Sequence, residues 1–260
     1  MKRVATFVIF GLIIVVALAA CGLLEEPATP SGAIEAIPLE IAATDPPAES
    51  APEATEVAAS SQEEEVADEP AATEENTETE AGGLVIYTIV PEESQVRFEL
   101  DEDLSGIRNT VRGTTNQVAG EIALDSSDPS TAQVGTLLVN ARTLVTDNDF
   151  RNRAIQNQIL NTGSFEFIEF VPSTIEGLPE TISPGETVNF VIVGDLTIRD
   201  VTNGVSFETE ATLVSDNEIS GTASTVVSHK EFGLSIPEVP RVANVEEDVE
   251  LQIDFVAKSG

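Results

Sequence analysis

Val249-Glu250-Leu251-Gln252-Ile253-Asp254-Phe255 alternates apolar and polar side chains without a break. A strand turns successive side chains to opposite faces, so Val249, Leu251, Ile253 and Phe255 share a dry face and the residues between them a wet one. The same period of two recurs upstream. Val96, Phe98 and Leu100 alternate with Arg97, Glu99 and Asp101, and Val205, Phe207 and Leu213 share a parity opposite to Ser206, Glu208 and Glu210. Such alternation marks antiparallel strands packed on one face. With turn signals at Asp128-Pro129, Ser183-Pro184-Gly185 and Asp216-Asn217, the spacing predicts about eight strands over 84–260, an all-β barrel or sandwich. One stretch departs from it. Thr146 to Leu160 places Phe150, Ala154, Ile155 and Ile159 at helical spacing and predicts a short helix, capped by Thr146 or Asp147, that closes an end of the barrel.

Upstream of this domain the composition changes. Residues 22–83 hold no Lys or Arg but many acidic side chains among Ala, Pro, Thr and Ser. Ala is too small to repay the entropy of ordering, so 21–83 is expected to be a disordered acidic linker with a span of roughly 45 Å or more. Before it, Lys2-Arg3 and the apolar run Val4–Ala20 have the layout of a secretory signal over 1–20. The run is near the lower length limit for a bilayer span, so an uncleaved anchor is the alternative. The chain's single Cys follows Leu18-Ala19-Ala20 directly, which resembles the lipobox of bacterial lipoproteins. That resemblance implies cleavage before Cys21, its lipidation, and a membrane-anchored extracytoplasmic protein. Two or three acyl chains would hold it stably.

Composition removes several function classes. Twelve basic residues against 46 acidic ones give a net charge of −34, which leaves no basic surface for nucleic acid. One His and one Cys leave little for a transition-metal site, and no metal is expected. Asp147-Asn148-Asp149 begins like a calcium loop, but Arg151 stands where an oxygen ligand is wanted. His229 follows Ser228 without a Gly-x-Ser-x-Gly elbow, and strand neighbours point apart. Glu166 and Glu169 fall on opposite faces of a strand-like run, wrong for a pair acting on one bond. No catalytic residue is assigned.

The ordered motifs carry a resemblance. They are Tyr87-Thr88-Ile89, Ser94-Gln95-Val96-Arg97-Phe98, Val111-Arg112-Gly113, Asp149-Phe150-Arg151-Asn152, Phe165-Glu166-Phe167, the segment Gly194-Asp195-Leu196-Thr197-Ile198-Arg199-Asp200-Val201-Thr202, and Lys230-Glu231-Phe232-Gly233. In this order they resemble the YceI-like family of bacterial envelope proteins. The resemblance implies an antiparallel, lipocalin-like β-barrel whose apolar interior holds a polyisoprenoid or a similar amphiphile such as an isoprenoid quinone, with no further cofactor. Glu93 stands where the family often has His, and the family's Arg-Asp pair at the helix is replaced by the 149–152 sequence.

A barrel of this size can be filled by side chains or hold one small ligand. The inward set expected to line an apolar ligand cavity is Phe98, Leu100, Phe190 and Ile192, with Phe207, Leu251, Ile253 and Phe255. Three classes compete: a carrier of an isoprenoid-type lipid, a filled-barrel structural or interaction module of the envelope, and an enzyme acting on a bound lipid through His229 or the Asp147/Asp149/Arg151 group. The partners expected are the lipid and the membrane; homodimer formation is left open by the sequence.

Overall fold

The computed structural model describes residues 26–41 and 83–260. The signal segment and Cys21 lie outside the described residues, as does most of the linker.

Thirteen strands are formed among the described residues: β1 (Val85–Ile89), β2 (Gln95–Leu104), β3 (Ile107–Thr115), β4 (Val118–Ala119), β5 (Glu121–Leu124), β6 (Gln133–Val134), β7 (Leu137–Asn140), β8 (Phe167–Glu176), β9 (Thr187–Ile198), β10 (Val201–Ser215), β11 (Glu218–Ser228), β12 (Val242–Ala243) and β13 (Asp248–Lys258). The pairings are antiparallel, and the sheet runs β4-β7-β8-β9-β10-β11-β13-β1-β5-β6 while it curls into a half-barrel around an apolar interior. The sheet has thirteen strands rather than the expected eight or so. Seven have nine or more residues and six are short; Pro91 separates β1 from β2, and Gly120 separates β4 from β5.

β13 organises the sheet. Along one edge it pairs with β11 from Ser228↔Asp248 to Glu218↔Lys258. Its other edge is divided, with Glu250–Asp254 on β2 and Ala257–Lys258 on β1. The β2–β3 hairpin turns through Ser105 (φ 55°) and Gly106 (φ 82°), the left-handed pair of a two-residue turn. Two apolar clusters fill the interior, one centred on Tyr87, Leu213 and Phe255, the other on Phe170, Leu196 and Phe232.

The interrupting helix forms, with a different cap. Helix α1 (Asp149–Ala154) starts at Asn148, whose Oδ1 accepts from the Phe150 and Arg151 amides at 2.9 and 3.1 Å. Thr146 and Asp147, the expected caps, are engaged elsewhere: the Thr146 hydroxyl donates to Asn152 Oδ1, and Asp147 pairs with Arg151 one turn on. A π-turn over Ile155–Ile159 continues the helix and buries Ile155 and Gln156.

The linker expectation needs correction at residues 26–39. This extended segment is docked on the domain as a strap. Arg142 Nη1 donates to the Thr29 carbonyl at 3.0 Å, the Ser31 amide donates to Glu166 Oε1 at 2.8 Å, and the Leu39 amide donates to Glu121 Oε2 at 2.7 Å. Leu39 packs on Gly135, where a Cβ would stand 3.4 Å from its Cδ1. Composition misleads here because Ile34 and Leu39, half-buried in the structure, belong to the small apolar minority of the stretch, and because the anchoring charges lie in the distant domain. Arg142 and Glu166 themselves form a largely buried ion pair at 2.8 Å. Burial works against ionisation of Glu166, but the Ser31 amide and hydroxyl, Asn140 and Arg142 together hold its carboxyl below the ordinary Glu value. With a lowered folded value, the strap contact is complete above the ordinary carboxylate range and is lost as pH falls through the lowered one. The Ser31 amide resonance is therefore expected to titrate with a midpoint below that of an exposed Glu, and Glu166→Gln should abolish the titration.

Candidate ligand cavity

The half-barrel encloses three adjoining apolar compartments. The two inner ones measure about 80 and 120 Å³, and the outer one, closed off by α1 and the 234–245 loop, about 420 Å³. They are neighbours across shared walls: Ile192 and Ile253 border both inner compartments, and Phe98 and Leu251 border the second inner and the outer one. A volume of 420 Å³ lies within the range of small-molecule sites.

All eight residues of the expected inward set stand on these walls. Phe190 and Phe255 line the innermost compartment, Ile192 and Ile253 the wall shared by the two inner ones, Phe207 the second, Phe98 and Leu251 the wall between the second and the outer cavity, and Leu100 the outer cavity. Alternation puts them there because each belongs to a strand whose opposite parity carries the charged side chains, Glu102 of β2 excepted. The aromatic members need room across the sheet. Phe98 is register partner to Gly113, and a Cβ at Gly113 would come within 2.2 Å of its ring; Phe255 is partnered by Gly221, where a Cβ would meet the ring at 2.8 Å. Phe207 stacks edge-on against Phe170, with centroids 4.9 Å apart and planes at 65°.

Sequence reasoning missed part of the wall. Ile155, Leu160, Phe232 and Leu234 come from the helix and the 229–235 turn, where no period of two points to them. It also missed Glu102. That residue continues the parity of Phe98 and Leu100 inward, so the signal was present as a carboxylate on an apolar face. Glu102 is 6% exposed; its Oε1 accepts from Arg151 Nη2 at 3.0 Å and from Asn109 Nδ2 at 3.3 Å. Arg151 is also held by Asp147 at 2.5 Å. The outer cavity thus has one polar corner, charge-balanced by its own residues. Its charges are arranged to neutralise one another and leave the rest of the wall apolar.

His229 and Arg151, named for the catalytic alternative, both reach this outer cavity. His229 Nδ1 lies 3.0 Å from the Leu234 carbonyl, and the adjacent Ser228 hydroxyl donates to Glu247 at 2.9 Å. A serine nucleophile activated by His229 is not assembled. Among the described residues no group of three His, Cys, Asp or Glu side chains is placed to hold a metal.

The fold and cavity define an antiparallel barrel-type protein with an apolar interior reached past a short helix. Residues 87–257 match the YceI-like domain, and the chain belongs to that family. A solved structure described as a polyisoprenoid binding domain from Saccharophagus degradans, implicated in plant cell wall breakdown, superposes with a TM-score of 0.53 at 11% identity, covering 68% of this chain and 99% of that one. Burkholderia cenocepacia BcnA superposes with a TM-score of 0.51 at 13% identity, covering 65% of this chain and 99% of that one. At these identities the likeness is one of fold. No curated protein sequence matches the chain.

Two outcomes follow from the cavity's construction. Gly113→Val should displace the Phe98 ring and destabilise the domain by about 1–3 kcal/mol in urea unfolding, an overpacking effect. Arg151→Ala should leave the Glu102 carboxylate buried without its cation and cost about 1–3 kcal/mol, whereas Arg151→Met combined with Glu102→Leu should recover most of the loss.

Proposed function

We propose that the chain is a lipid-anchored, extracytoplasmic binding protein that sequesters or carries an isoprenoid-type amphiphile in its barrel cavity, without catalysis. The observation that carries this reading is the 420 Å³ outer cavity adjoining two smaller apolar compartments, with the charge pair of its lining, Glu102 and Arg151, bonded to itself. Such a shape suits a chain molecule that enters tail first: the tail gains from apolar burial and a small polar end meets Glu102 and Arg151. Burial of ten methylenes would contribute on the order of 8 kcal/mol before ordering costs. Family membership supports a binding role, and the Saccharophagus degradans domain with this fold is described as binding a polyisoprenoid. Placement outside the cytoplasm and anchoring at Cys21 rest on the signal-like segment and the lipobox-like Leu-Ala-Ala-Cys.

The small volumes of the two inner compartments favour a second reading, in which the innermost half of the barrel is packed by its own side chains and the protein acts as an interaction module. Native mass spectrometry of residues 22–260 from a bacterial host, followed by solvent extraction, separates the two. A discrete added mass that extracts as an isoprenoid or quinone is expected, and Phe207→Asp with Ile253→Asp should remove it while His229→Ala leaves it in place. A clean apo mass that persists after incubation with such lipids would establish the interaction module instead.

A further inference from the structure

The mouth of the outer cavity carries large apolar side chains on its outer rim. Leu104, Phe150 and Val239 line the cavity and are nevertheless 41%, 71% and 38% exposed. Ile107, the cross-strand partner of Leu104 at the tip of the β2–β3 hairpin, is 73% exposed. Three separate elements, the hairpin tip, α1 and the 234–245 loop, thus bring exposed apolar groups to one opening, whereas the exposed apolar side chains of the barrel wall, such as Ile86, Val171 and Val226, stand on separate strands. Contiguous exposed apolar surface around a cavity marks a docking surface.

The charges of the rim indicate what it can meet. Arg108 is paired with Asp101 and Glu246, and Arg151 with Glu102 and Asp147. Arg153 and Arg241 stand on the same elements. Four of the ten basic residues of 84–260 therefore stand on the elements of this end, which lowers, without cancelling, the repulsion that its carboxylates would otherwise exert on a lipid headgroup layer.

The strap supplies the direction. Its first fixed atom, the Thr29 carbonyl, is held by Arg142, and the same guanidinium donates to the Thr162 and Gly163 carbonyls just beyond the π-turn that closes the cavity. Thr29 is eight residues from Cys21. Eight residues reach at most roughly 28 Å, compared with more than 200 Å of extended chain if the first fixed residue were in β1. An acyl group on Cys21 would hold the helix end of the barrel close to its membrane.

We propose that the rim formed by Leu104, Ile107, Phe150 and Val239 is a membrane-docking surface, and that the strap aims it at the bilayer holding Cys21, so that an amphiphile passes between bilayer and cavity without crossing water. The proposal rests on the anchored-carrier reading above and specifies how the cavity is loaded. With Cys21 acylated, an introduced cysteine is the sole free thiol of the chain. The full chain carrying Ile107→Cys, Phe150→Cys or, on the barrel wall, Val226→Cys is labelled with an environment-sensitive nitrobenzoxadiazole dye and reconstituted in phosphatidylcholine vesicles. Blue-shifted emission with several-fold quenching by brominated lipid is expected at 107 and 150 and not at 226. Emission at 107 and 150 as aqueous as at 226 would overturn the proposal. Mass spectrometry of Cys21 reads the anchor separately, and a chain tethered to nickel-chelating vesicles by a His-tag in place of residues 1–21 repeats the optical test without acylation. A shift in the tethered chain, with Cys21 of the full chain found unmodified, would sink the anchor and leave the docking rim intact; an acylated, vesicle-bound full chain without the shift would do the reverse. Replacing residues 27–39 by a Gly/Ser stretch of equal length should lose the shift at both rim positions, and its persistence would refute the aiming role of the strap.

Discussion

Strand β13 is bonded along both edges while one of its faces is entirely apolar, and that combination constrains everything around it. A strand paired on both sides cannot slip by one residue without turning Leu251, Ile253 and Phe255 to solvent and Glu250, Gln252 and Asp254 to the interior. Register on β11 and β2 is therefore fixed by burial. Once β2 is fixed, Phe98 faces inward opposite Gly113 and stands in the wall shared by the second inner and the outer compartment.

The domain keeps its charge outside and its interior dry. Arg97 joins Glu99 and Asp254 on the outer face of β2 and β13, and Arg112 joins Glu99. These exposed pairs contribute at most about 1 kcal/mol each and mainly relieve crowding among carboxylates. Glu102 is the exception. It points inward at the cavity mouth, and its retention there with Arg151 and Asn109 gives an otherwise featureless apolar wall one oriented corner. A polar corner at the open end and apolar compartments behind it match the asymmetry of an amphiphile.

Much of this was legible in the chain because it depends on period. Alternation in 96–100, 205–213 and 249–255 specifies strands, faces and six of the eight residues of the inward set, and every member of that set lines a compartment. The helix was legible from its spacing, its cap was not: Thr146, Asp147 and Asn148 all have capping side chains, and the choice among them depends on Arg151 and Asn152 drawing the first two away. The strap was illegible for a related reason. Its partners Glu121, Arg142 and Glu166 are brought within reach only when β5, β7 and β8 are assembled.

The sequence by itself determined the strand character, the two faces of each strand, the acidic exterior and the family, because all of these are carried by local pattern and ordered motifs. Tertiary structure alone decided that the runs divide into thirteen strands, that the 229–245 turn and loop complete the outer cavity, and that residues 26–39 lie against the domain. Each of those outcomes depends on contacts between residues many positions apart, whose energies exist only after the sheet has curled and brought them together.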